Sequence, residues 1–157
     1  MIRVLFVCLG NICRSPMAEA VFRDLVEKKG VTNRFEIDSA GTSDWHVGKR
    51  PHEGTLNKLA QYQVGTEGMY ARQLRKDDRD TFDYIVAMDS SNEQNIQERF
   101  GGSADHVFRL LDLVDGALKD VPDPYYTGDF QETYDLVTEA NQRLYEKIER
   151  EHGPFER

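Results

Sequence analysis

The chain has 157 residues, 39% hydrophobic and 31% charged with only five prolines, which suits one globular domain with a single core and is too apolar for a disordered chain. Its 20 basic side chains stand against 28 acidic ones, a net charge of −8, so non-specific grip on nucleic acid or an anionic membrane, which needs clustered positive charge, is not expected. Two cysteines make no disulfide framework, and the longest apolar run, Val4 to Leu9, is far short of the ~20 residues of a bilayer span; a reducing, cytoplasmic setting is expected.

The first residues carry one arginine and no small-residue cleavage site, and do not read as a secretory signal. Ile2 to Cys8 is rich in β-branched and aromatic residues without alternation, the pattern of a strand buried on both faces. It breaks at Gly10-Asn11. A helix is expected to open at Ser15-Pro16, with serine as N-cap and proline in the first helical position. Met17, Val21, Phe22, Leu25 and Val26 form its apolar stripe, and Lys28-Lys29-Gly30 its cationic last turn and stop. Phe35 to Ala40 reads as a second strand, followed by a polar loop from Gly41 to Pro51. Glu53 to Tyr62 reads as a helix with Leu56, Leu59 and Ala60 inward, and the acidic run Asp77, Asp78, Asp80 as a solvated helix start. Asp83 to Met88 is another buried-type strand, Ser90 to Phe100 a helix closed by Gly101-Gly102, and Val107 to Leu111 a fourth strand. After Pro122-Asp123-Pro124, the spacing of Val137, Ala140, Leu144 and Ile148 marks a long C-terminal helix. Strands alternating with helices imply right-handed crossovers and an α/β class: one domain over residues 1–157, a four-stranded parallel sheet covered by helices on both faces. Such sheets bind ligands beyond the carboxyl ends of their strands, where Cys8 falls.

The segment Cys8-Leu9-Gly10-Asn11-Ile12-Cys13-Arg14-Ser15 separates a cysteine from an arginine by five residues, between a strand and a helix. A turn curled at a helix N-terminus aims several backbone N–H groups at one point, so Leu9 to Ser15 can cradle an oxyanion. Gly10 and Asn11 tolerate the positive φ that such curvature needs. Arg14 offers a planar fork matched to two phosphate oxygens. Cys8 lies beneath the anion, facing donors that favour thiolate over thiol. A thiolate under a tetrahedral oxyanion is an arrangement for phosphoryl transfer.

The stretch VCLGNICRSPMAEA resembles the signature of the low-molecular-weight protein tyrosine phosphatases, and Asp123-Pro124-Tyr125-Tyr126 resembles that family's acid-loop motif. Ser39-Ala40-Gly41-Thr42, Trp45-His46-Val47-Gly48, Ala71-Arg72-Gln73 and Met88-Asp89-Ser90-Ser91-Asn92 also resemble family segments, in family order, so the likeness runs from about Val4 to Tyr126. The resemblance implies the phosphotyrosine protein phosphatase I-like fold, Cys8 as nucleophile, Arg14 as phosphoryl clamp, and Asp123 as general acid and then base. It implies Ser15 as hydrogen-bond partner of the Cys8 sulfur, and Asn11 holding the loop with help from Ser39. Ile12, Trp45, Tyr125 and Tyr126 would wall the crevice for an aromatic ring. Independently of the resemblance, Cys8 and Cys13 lie five residues apart in a tightly curled loop, which makes Cys13 the expected redox partner of Cys8. The resemblance also implies a tyrosine-phosphorylated protein or small aryl phosphate as substrate, no cofactor, and a monomer or weak dimer. Met69 stands where the family often has a loop-supporting histidine.

Other chemistries find less support. His46, His52, His106 and His152 lack metal-ligand spacing, and no Gly-rich Walker or Rossmann pattern is present. An arsenate reductase on the same scaffold would need further cysteines well downstream of Cys13, and there are none. Phosphoarginine phosphatases resemble this loop but carry threonine at the place of Ile12. A phospho-ligand-binding module without turnover would have no need of Asp123.

Overall fold

In the computed structural model, which describes residues 1–155, four strands run parallel in the order β2-β1-β3-β4. They are β1 (Ile2–Cys8), β2 (Phe35–Gly41), β3 (Tyr84–Ala87) and β4 (Val107–Arg109). Register runs from Ile2↔Phe35 to Cys8↔Gly41 on one side of β1 and from Val4↔Tyr84 to Val7↔Ala87 on the other. Helices α1 (Arg14–Lys28), α2 (Glu53–Gln61), α3 (Asp78–Thr81), α4 (Ser90–Phe100), α5 (Pro124–Thr127) and α6 (Phe130–His152) complete the chain.

The unalternated pattern of β1 has a simple cause. Val4, Phe6 and Cys8 face a core built with Met17 and Phe22 of α1 and Val137, Leu144 and Ile148 of α6. Leu5 and Val7 face the opposite core, with Ile96 and Phe100 of α4. Both faces of β1 are therefore dry, as the doubly covered α/β class requires. The α1 stripe is as expected, with Leu25 only half-buried. The α6 stripe is fully buried, and within it Asn141 donates to Ala18 O at 3.0 Å, tying α6 to α1.

Four local expectations are corrected. Ser15 does not cap α1: the helix opens two residues earlier than expected, at Arg14, Cys13 is its N-cap without a side-chain bond, and Pro16 sits in the first turn. On α2 the inward residues are Thr55 and Leu59, one turn apart, while Leu56 is half-buried and Ala60 exposed. The fourth strand ends at Arg109, and Leu110–Leu113 turns into a short 3-10 helix. Asp78 is not solvated; it is buried, with Arg72 Nη1 at 3.0 Å, whereas Asp77 and Asp80 are exposed.

Sheet order reverses at β1, so the turns after β1 and β3 open side by side at the carboxyl ends of the strands. That is where a doubly wound sheet leaves a crevice. Among the described residues no helix is both long and apolar enough to cross a membrane.

Candidate active site

The turn between β1 and α1 is held by its carbonyls. Cys8 O accepts from Thr42 N at 2.9 Å and Leu9 O from Ser43 N at 2.9 Å. Ile12 O accepts from His52 N at 2.7 Å, and Cys13 O from Thr55 Oγ1 at 3.2 Å. With the carbonyls bonded to the surrounding loops, the N–H groups of the turn are left for its hollow, together with the free first-turn donors of α1. Asn11 supplies the sharp bend at φ 55°, and its N–H lies 3.3 Å from Cys8 Sγ. The ring of His46 packs so closely on Gly10 that an added Cβ would lie 2.9 Å from His46 Cδ2.

Cys8, only 3% exposed, forms the floor. Ser15 Oγ sits 3.0 Å from its sulfur and also receives Asn11 Nδ2 at 2.8 Å. Asn11 Nδ2 reaches Ser39 Oγ at 2.9 Å, and Asn11 Oδ1 takes the N–H of Arg72 at 3.0 Å. Three hydrogen bonds hold this amide without help from residue 69, and Met69 packs into the core instead. Arg14 is equally sheltered. Its Nη1 bonds Asp89 Oδ2 at 2.6 Å and Val121 O at 2.9 Å, its Nη2 lies 3.4 Å from Asp123 Oδ2, and Nε has no partner among the described residues. Burial works against its charge, but Cys8, Asp89 and Asp123 outweigh that and hold the guanidinium above its ordinary range. Asp123 caps α5, accepting from Tyr125 N at 3.0 Å, so the Asp-Pro-Tyr-Tyr segment is a helix start rather than a bare turn.

One crevice of about 220 Å³ gathers Cys8, Leu9, Gly10, Ile12, Cys13, Trp45, His46, Asp123, Tyr125 and Tyr126. Trp45, Tyr125 and Tyr126 are 65%, 53% and 73% exposed, and so form its rim. Ile12 and Cys13 are buried against Ala71 and Phe130. Burial raises the Cys13 thiol to about 12, and the neighbouring Cys8 adds to the effect.

A buried cysteine sulfur and a helix-capping aspartate on one crevice, with a buried arginine beside them, invite comparison with known proteins. The family model described as low molecular weight phosphotyrosine protein phosphatase matches residues 3–153. The chain belongs to that family. A curated relative, the low molecular weight protein-tyrosine-phosphatase YfkJ of Bacillus subtilis, is 51% identical over 153 residues, covering 96% of this chain and 98% of its own. The crystal structure of YfkJ superposes with a TM-score of 0.95 at 50% identity, covering 98% of both chains. PtpA of Staphylococcus epidermidis is 40% identical over the whole of both chains. A crystal structure titled drosophila arginine phosphatase has a TM-score of 0.84 at 31% identity, covering 92% of this chain and 96% of that one.

Within this phosphatase fold, the structure adds residues that the sequence reading passed over. Asp89 holds Arg14 with one oxygen and caps α4 with the other, accepting Asn92 N at 2.7 Å. An aspartate two residues after a strand and just before a serine-rich helix start was a legible cap signal. Arg72 links the turn to Asp38 and Asp78 at 3.0 Å each. His46 and His52 flank Tyr125, with ring centroids 6.4 and 6.0 Å away. Glu19 lies buried beneath Ser39, which donates to it at 2.6 Å. Its signal was an acid one turn after Ser15, inside an otherwise apolar helix face.

Proposed function

We propose that the protein is a metal-independent protein tyrosine phosphatase that hydrolyses phosphotyrosine monoesters through a phosphocysteine intermediate. The single domain spans the chain and works in the cytoplasm, where two free, buried cysteines remain reduced. The observation that carries the reading is the meeting of Cys8 and Asp123 in one crevice with an aromatic and aliphatic wall, with Arg14 3.4 Å from Asp123 behind it.

The roles follow from position. The turn's N–H groups and Arg14 bind the non-bridging phosphoryl oxygens and carry the charge that spreads over them. Cys8 Sγ attacks phosphorus as the P–O bond to the phenol breaks, and Asp123 gives the departing phenolate its proton. Asp123, now a carboxylate, takes a proton from water as that water attacks phosphorus. The S–P bond breaks, phosphate leaves and the thiolate returns. Asp89 keeps Arg14 oriented through both displacements.

Ile12 favours tyrosine over arginine as the phosphorylated residue. The turn and Arg14 touch only the phosphoryl group, so discrimination falls to the wall. A buried isoleucine offers apolar area to a phenyl ring and leaves guanidinium donors unpaired, at a cost of about 1–3 kcal/mol each. Steady-state hydrolysis of matched phosphotyrosine, phosphoserine and phosphoarginine peptides tests this directly. Phosphotyrosine is expected to show the highest kcat/KM, and Cys8→Ser to abolish turnover while still binding phosphate. A higher kcat/KM for phosphoarginine would reassign the substrate, and activity of Cys8→Ser within tenfold of wild type would reject the mechanism.

A further inference from the structure

Behind the phosphate-binding turn, buried polar groups form one directed chain that ends on a residue with no part in the displacements. Asn11 Oδ1 takes the Arg72 N–H at 3.0 Å, so the Asn11 amide nitrogen must point the other way, at two serines. Ser15 Oγ receives one of its protons at 2.8 Å, leaving its own proton free for the Cys8 sulfur at 3.0 Å. Ser39 Oγ receives the other at 2.9 Å and passes its own proton to Glu19 Oε1 at 2.6 Å. A carboxylate can only accept, so the sense of the chain is set at its Glu19 end.

Glu19 is 3% exposed on the inner face of α1. Burial pushes its carboxyl up, and Arg23, one turn on, and the Ser39 hydroxyl pull it back. Arg23 pairs with Glu19 and also donates to Ile37 O at 2.6 Å, with its side chain half exposed. Buried charge is costly wherever its partners are imperfect, and here the carboxylate has two partners, one of which leads straight to Asn11.

We propose that Glu19 is a positioning residue for the phosphate-binding turn. Anchored by Arg23, it takes the Ser39 proton, fixes Ser39 as an acceptor, and so holds the Asn11 amide that sets the curvature of the turn. The inference rests on the phosphatase reading and adds a remote determinant of phosphoryl affinity.

The test is a double-mutant cycle read by calorimetric binding of inorganic phosphate and by kcat and KM on an aryl phosphate. Glu19→Met roughly keeps the volume and removes the acceptor; it is expected to weaken phosphate binding about fivefold to tenfold, the size of one lost hydrogen bond. Ser39→Ala should lose a similar factor. The double variant should be no worse than Ser39→Ala alone, since both act along one path. Arg23→Gln, altered at the exposed end, should lose about twofold to threefold in the same direction and serves if Glu19→Met does not fold. Losses that multiply in the double variant, or unchanged phosphate affinity alongside a lowered Tm, would reduce Glu19 to a packing role and overturn the proposal. Wild-type protein that binds phosphate without hydrolysing the aryl phosphate would overturn the phosphatase reading instead, while the binding cycle still decides the role of Glu19.

Discussion

At the scale of single residues, the site divides into groups that react and groups that hold them. Asp123 is within reach of Arg14 and lines the crevice, so its contribution should depend on how badly the leaving group needs a proton. Asp123→Asn should slow hydrolysis of phenyl phosphate by roughly 10²–10⁴ and that of nitrophenyl phosphate much less; equal losses would make Asp123 structural. Cys13 makes a second prediction. Its thiol, raised to about 12 by burial and by Cys8, is protonated at neutral pH, whereas attack on an oxidised Cys8 needs the thiolate. Peroxide converts Cys8 to its sulfenic acid, and the Cys13 thiolate then forms the disulfide with release of hydroxide. Below the Cys13 pKa the thiolate fraction rises about tenfold per pH unit, so disulfide formation should accelerate about a hundredfold from pH 7 to 9. Recovery by dithiothreitol after peroxide, compared between wild type and Cys13→Ser, checks it; equal recovery at pH 9 would deny Cys13 a protective role. That Cys8, Arg14 and Asp123 come together was legible because their chemistry is unusual at their spacing. The burial of Asp78 was not, because one acid in an acidic run carries no local mark of it. Asp78 differs from the exposed Asp77 and Asp80 in taking Arg72 at 3.0 Å and the Arg75 N–H at 2.8 Å.

At the scale of elements, the four strands and the stripes of α1 and α6 followed from periodicity, while the order of the strands and the cap of α1 did not. Ser15 sits where a cap would stand and spends its hydroxyl on Cys8. The docking of α2 on α6 carries a prediction of the same kind. A Cβ added at Gly54, in the first turn of α2, would lie 2.4 Å from the Phe130 ring. Phe130 in turn stacks on His52 at 5.2 Å and packs against Ile12 and Cys13. Glycine to alanine inside a helix ordinarily gains up to about 1 kcal/mol. Here the ring must move, so Gly54→Ala should lower Tm and also reduce kcat/KM by loosening the wall. Thermal melts beside steady-state kinetics decide it; a raised Tm with unchanged activity would show that Phe130 yields freely.

At the scale of the molecule, two cores share one four-stranded sheet, and the site lies on the edge common to both. Unfolding should therefore be a single cooperative transition, raised by phosphate or vanadate according to their affinity, by about 2.7 kcal/mol at a hundredfold excess over Kd. Differential scanning calorimetry with and without the anion measures both, and two separable transitions would contradict a single domain. The partners of Arg14 have a temporal consequence as well. Asp89, Val121 and Asp123 lie 75, 107 and 109 residues further along the chain. Synthesis delivers the N-terminus first, so Cys8 leaves the ribosome long before the guanidinium beside it can be oriented. A nascent chain, or one terminated before Asp123, carries the nucleophile without the means to use it, and the cell acquires a working enzyme only from a finished translation product.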